Sequence, residues 1–202
     1  MQMLHVKTLL LTKQYAACDA LLAKMDIIPF EGATEGRGFY WEAKLMQALE
    51  QMEKGQYKKA LAFIDAAALW PENLGVGKPY DADIDSRLEN WLRYECHSRS
   101  KNAAAAQKAL DAVLAFKPGI YNTVMNFQPA NHLVTAWALE RTGTRQSAME
   151  WIQGQQNKFP LLAQLKWVSD GFARQEVPET ELEDAGIRLL RRLSTWINKV
   201  SH

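Results

Sequence analysis

Two adjoining patches, GVGKP at 75–79 and DADID at 81–85, hold the residue types that handle phosphate and calcium. A phosphate loop needs glycines whose backbone N–H groups face the anion, a lysine for the terminal phosphates, and Ser or Thr next. Counting back from Gly77 and Lys78, its first glycine falls on Glu72, and Pro79 replaces the hydroxyl residue. A strand should also precede it, whereas Phe63–Trp70 has helical periodicity. Nucleotide binding is therefore not expected. A calcium loop starts acceptably with Asp81, Asp83 and Asp85, but its sixth position is Ser86 instead of glycine and its twelfth is Leu92 instead of glutamate. Carboxylates capping a helix that begins near Asp85 fit these residues better.

The remaining chemistry is sparse. His5, His97, His132 and His202 show no metal-ligand spacing, and no G-x-S-x-G elbow occurs. Trp41, Trp91, Trp137 and Trp196 fall on apolar helical stripes, which assigns them to the core; Trp70, beside the glycine-rich stretch, has no such explanation. With 24 basic and 23 acidic residues the net charge is +1, without the excess that drives binding to nucleic acid. No apolar run approaches the roughly 20 residues that span a bilayer. No catalytic residue, metal or cofactor is expected. Cys18 and Cys96 sit in helical apolar patterns and read as buried free thiols, which fits a reducing compartment and slightly favours the cytoplasm. The opening MQMLHVKTLLLTKQY is too short in its apolar run for a signal peptide and reads as a helix entered midway.

The elements that would position these residues come from a repeat. A small residue followed four places later by an aliphatic one occurs at Cys18/Leu22, Ala60/Ile64, Ala106/Leu110 and Ala148/Ile152, with successive pairs 42, 46 and 42 residues apart. Pro29, Pro71, Pro118 and Pro160 follow in nearly the same phase, and TKQY, KGQY, SKNA and TGTR precede as turns. Helical spacing predicts helices near 38–53, 57–69, 86–99, 103–116, 130–141, 146–157, 161–173 and 179–200, with no sheet. The units run about 1–29, 38–71, 86–118 and 130–160 in a single domain, capped by helices over 161–202.

This pattern resembles the tetratricopeptide repeat, on Gly55, Tyr57, Ala60, Ile64, Ala67 and Pro71 in the second unit and Gly143, Ala148, Ile152 and Pro160 in the fourth. The first and third units lack the turn glycine, and Arg145 stands in the aromatic position of the fourth. The period exceeds the usual ~34 residues, the surplus lying in loops after each proline, and the longer HEAT and armadillo repeats are the structural alternative. The resemblance implies an all-α, right-handed superhelical stack of helical hairpins with long inter-repeat loops. The phrases IIPFEGATEGRGFYWEA and WPENLGVGKPYDADIDSRLENWLRYEC further resemble large bacterial proteins that join a galactose-mutarotase-like β-sandwich to a carboxy-terminal tetratricopeptide array. That resemblance implies that the chain is the tail of a longer polypeptide.

Such arrays expose the inner face of their first helices. Tyr40, Lys44, Arg93, Tyr94, His97 and His132 lie opposite the packing stripes and are the groove candidates. A loop edge is the second candidate surface: Glu72 and Asn73 making local backbone hydrogen bonds, Lys78 in solvent or paired with an acid, Phe30, Leu74, Val76, Tyr80, Tyr121, Val124, Met125 and Phe127 folding back over helix ends, and Gly75 and Gly77 in unusual backbone conformations. The expected function is a non-catalytic module that binds a protein partner or docks an upstream domain. The alternative is the helical part of a carbohydrate-processing enzyme completed by the β-sandwich.

Overall fold

The computed structural model describes residues 2–29, 34–117, 128–174 and 185–201. Among the described residues all regular structure is helical, with no strand. Ten α-helices follow in order: α1 (Gln2–Leu11), α2 (Tyr15–Leu22), α3 (Glu35–Glu53), α4 (Tyr57–Ala67), α5 (Arg87–Arg99), α6 (Ala103–Ala115), α7 (His132–Thr142), α8 (Arg145–Lys158), α9 (Ala163–Arg174) and α10 (Ala185–Ser201). Short 3-10 turns occupy Glu72–Leu74, Asp81–Asp83 and Pro129–Asn131. The expected helices are present with ends displaced by a few residues; the stretch 179–184 of the last lies outside the described residues. The chain divides into two compact units, Met1–Tyr80 and Asp81–His202.

Within the first unit α1 pairs with α2 and α3 with α4; within the second α5 pairs with α6 and α7 with α8, and α9 packs on both helices of the latter pair. The repeat explains these hairpins. All eight residues of the four small–aliphatic pairs are buried, on the second helix of each hairpin, where a small side chain admits the neighbouring helix and the aliphatic one fills the space beside it. Around them the first unit's core gathers Leu45, Leu49 and Met52, and the second unit's Leu92, Leu133, Val168 and Phe172. Cys18 and Cys96 are buried and free. Their thiols are pushed up to about 11 and about 12, chiefly because burial disfavours the thiolate.

The hairpin turns carry a regularity that the residue types conceal. Gly55 has φ +70°, its N–H bonds the Met52 carbonyl at 2.9 Å, and the Gln56 N–H reaches back to Gln51 at 2.8 Å. This is the left-handed ending that glycine favours at a helix C-terminus. Lys13 (φ 62°) and Lys101 (φ 58°) stand at the equivalent points of the first and third hairpins with the same two bonds, to Leu10 and Leu9 and to Ser98 and His97. The glycine is absent from those units, yet the conformation is kept. In the fourth turn Gly143 follows a different path (φ −143°), and Thr144 and Ser147 form a capping box that starts α8.

Candidate functional site

The groove candidates divide between the two units. In the first, Tyr40 is buried, and its hydroxyl donates to the Ala66 carbonyl at 3.0 Å. Beside it the Arg37 guanidinium donates to the Ala67 carbonyl at 2.7 Å and lies 4.5 Å from the centre of the Trp70 ring. Together they add side-chain donors to carbonyls at the end of α4, where helical hydrogen bonding runs out, and Trp70 acquires its role as the apolar lid on Arg37. Burial holds the Tyr40 phenol above its ordinary range. Lys44 is paired with Asp19 at 2.6 Å, largely out of solvent, and ties α3 to α2. The expectation that Tyr40 faces a groove is therefore corrected: it closes a helix end.

In the second unit His132 is also buried, at 1% exposure, against expectation. Its Nδ1–H donates to the Pro129 carbonyl at 3.1 Å, and its ring stacks on Trp151 with centroids 5.2 Å apart. Its pKa falls to about 4, first through desolvation and then through the Arg87 charge. Arg87 is itself buried, gripping both oxygens of Asp85 at 2.8 and 2.7 Å and donating to Thr135 at 3.1 Å. Asp85 also accepts the backbone N–H of Arg87 at 3.2 Å, so this carboxylate does meet the start of α5 as expected of a cap. Arg93, Tyr94 and His97 are half-buried on α5. Arg93 donates to Asn90 at 3.1 Å.

Of the six candidates, Tyr94 lines an open cleft of about 660 Å³ in the second unit. Ser98 lies one helical turn beyond Tyr94, Lys101 projects from the turn before α6, and Arg141 and Thr142 come from the end of α7. Ala103 and Ala106 present methyl groups from the first turns of α6. The Tyr94 ring rests 4.9 Å from Trp91, whose ring is 5.7 Å from Trp137, so the phenol is backed by a cluster of tilted aromatic rings. Trp137 and Trp41 are half-buried, less enclosed than their stripes suggested. The sequence contained the SKNA and TGTR turns that flank Lys101 and Arg141, but it marked them as chain reversals and gave no sign that α5, α6 and α7 bring them together.

The loop edge is partly as expected. The Asn73 carboxamide donates to the carbonyls of Leu22 and Met25 at 3.0 and 2.8 Å, and the Asn73 carbonyl accepts the Ile27 N–H at 2.8 Å. These bonds are long-range instead of local, and they lay the connection after α4 along the one after α2. Leu74 is buried there. Gly75 has φ +70°, and a Cβ on it would stand 2.6 Å from the Ile27 carbonyl oxygen, so glycine is required twice over. Gly77 does not take a positive φ. The Glu72 carbonyl accepts the Gly75 N–H, the one local bond foreseen. Lys78 is exposed, and Tyr80 is 84% exposed instead of folding over a helix end. Phe30, Tyr121, Val124, Met125 and Phe127 lie outside the described residues.

Among the described residues no three His, Cys, Asp or Glu side chains gather as a metal site, and no helix is long and apolar enough to cross a membrane. No protein-family model, curated protein or solved structure matches the chain.

Proposed function

We propose that the chain is a non-catalytic protein-interaction or intramolecular docking module of tetratricopeptide type, a right-handed superhelical stack of helical hairpins. One observation carries this reading: the four small–aliphatic pairs, in phase along the sequence, are all buried at the same point of four helical hairpins. Hairpins of that kind cannot bury their apolar faces alone and gain stability by stacking, which leaves their outer surfaces and inter-repeat loops for partners. The occupant is the β-sandwich domain that the sequence resemblance places upstream. Tyr80 supports the loop edge as its contact, being an exposed aromatic at the end of a connection whose start is clasped by Asn73.

The test is to express that domain separately and titrate it with this chain by calorimetry, with and without Tyr80→Ala. Saturable association that Tyr80→Ala weakens at least severalfold is the expected result. Undiminished association in the variant would remove the loop edge and leave another face of the module. Absence of association in either form would end the docking interpretation.

A further inference from the structure

The cleft in the second unit has a chemistry of its own. The residues that line it include two cations, Lys101 and Arg141, and no acid. The buried Glu95 of α5 is drawn to both Arg99, at 3.4 Å, and Arg141. One buried carboxylate thus serves two guanidinium groups, and Lys101 adds a third positive charge at the rim. In a chain of net charge +1 this is a local excess. Beside the cations the lining mixes the polar Ser98, Gln107 and Thr142 with an apolar part formed by the Tyr94 ring, Leu110 and the methyl groups of Ala103 and Ala106. Small side chains there let a polypeptide backbone approach α6, and contact with the tilted Trp91–Trp137 pair reduces the ordering that Tyr94 would undergo on binding. The volume of about 660 Å³ lies within the usual range for ligand clefts, roughly 300–1,000 Å³.

We propose that this cleft binds an extended acidic peptide segment of a protein partner, with Lys101 and Arg141 pairing its carboxylates and Tyr94 receiving an apolar side chain between them. The assignment rests on the interaction-module reading and names a second surface for it. A small anion would satisfy the cations and leave the Tyr94–Ala103–Ala106 surface uncovered. A nucleic acid would need many more phosphate contacts than two cations supply.

The probe is a fluorescein-labelled ten-residue peptide alternating Glu and Val, compared with its Lys-for-Glu counterpart by fluorescence anisotropy at low and moderate salt. The acidic peptide should bind saturably, more weakly as salt rises, while the basic one does not. Lys101→Glu and Arg141→Glu should each weaken binding about tenfold, because reversal replaces an attraction with a repulsion. Tyr94→Ala should weaken it severalfold at every salt concentration. Lys108→Glu, the same charge change at an exposed position of α6 outside the cleft, should cost less than about twofold. Circular dichroism confirms that each variant remains helical. Equal binding of the two peptides, no saturable binding, an effect of Lys108→Glu as large as that of Arg141→Glu, or displacement by free glutamate at matched carboxylate concentration would each overturn the proposal. If Lys101→Glu/Arg141→Glu loses the peptide but still associates with the β-sandwich domain, the cleft is a separate site and the module reading stands. If the wild type binds neither, both fall.

Discussion

His132 makes the stability of the second unit depend on pH in a calculable way. Its imidazole is enclosed by Trp151, the Pro129 carbonyl, a hydrogen bond with the Gln155 side chain and the Asp85–Arg87 pair, and its pKa drops from 6.5 to about 4. The folded chain thus prefers the neutral ring. The resulting stabilisation is complete above pH 6.5 and is lost as pH falls towards about 4. Linkage over that interval gives a loss of about 2 kcal/mol between pH 7.5 and pH 5, out of about 3 kcal/mol in the acid limit. The buried Glu95 works in the opposite sense. Its carboxyl is held above the usual range by desolvation, despite Arg99 and Arg141, so its contribution improves as pH falls. The measurement must therefore be a difference. Urea unfolding at pH 7.5 and pH 5 is compared between the wild type and His132→Phe, which keeps a ring against Trp151 and removes the titration. The variant should be less stable at pH 7.5, by about 2 kcal/mol for the two lost hydrogen bonds, and should gain about 2 kcal/mol on the wild type at pH 5. Parallel pH dependence in the two proteins, or an imidazole NMR titration for His132 with a midpoint near 6.5, would refute the reasoning.

Gly55 and Gly75 share φ +70°, but open space surrounds a Cβ on the first and the Ile27 carbonyl lies 2.6 Å from one on the second. Gly55→Ala should cost only the left-handed backbone, about 1 kcal/mol, and Gly75→Ala clearly more, with the difference in thermal denaturation reporting the close approach. Lys13→Gly should stabilise by about 0.5–1 kcal/mol, since it relieves the same conformation. Asn73→Ala removes two hydrogen bonds and leaves their carbonyls poorly solvated, a loss of about 2 kcal/mol on chemical denaturation. Cys18 and Cys96 should resist an aromatic disulfide reagent at pH 8 until urea unfolds the chain, because both thiols are buried and pushed well above their ordinary values.

The hairpins were legible because their determinants are local. Helical spacing, a turn residue and a small–aliphatic pair all act within some 15 residues, and the pairs Ala60/Ile64 and Ala148/Ile152 needed nothing more distant. The site was less legible, for two reasons. A single apolar stripe marks one packing face, whereas α3 and α7 each touch several neighbouring helices, so Tyr40 and His132 are enclosed on what looked like a free side. Polar residues, moreover, choose partners by distance in space. Asn73 looked like a turn former and instead bonds Leu22, 51 residues earlier. Arg145 looked like a lapse from the aromatic position; it reaches the carbonyls of Phe172 and Ala173 at the end of α9 and lies over the Phe172 ring. Lys13 and Lys101 concealed a glycine-type turn because lysine tolerates that backbone at modest cost.

Helical repeat arrays ordinarily come apart piecemeal, each hairpin held only by the one beside it. The Asn73 clasp changes that for the first unit. It fastens the exit of the second hairpin to the exit of the first, across 48 to 51 residues of chain, so α2 cannot fray without releasing the connection after α4. The two hairpins should therefore open in one step, and amide exchange at the end of α2 should match that in α4 instead of showing a softer terminus. Asn73→Ala would uncouple them and let the first hairpin exchange on its own.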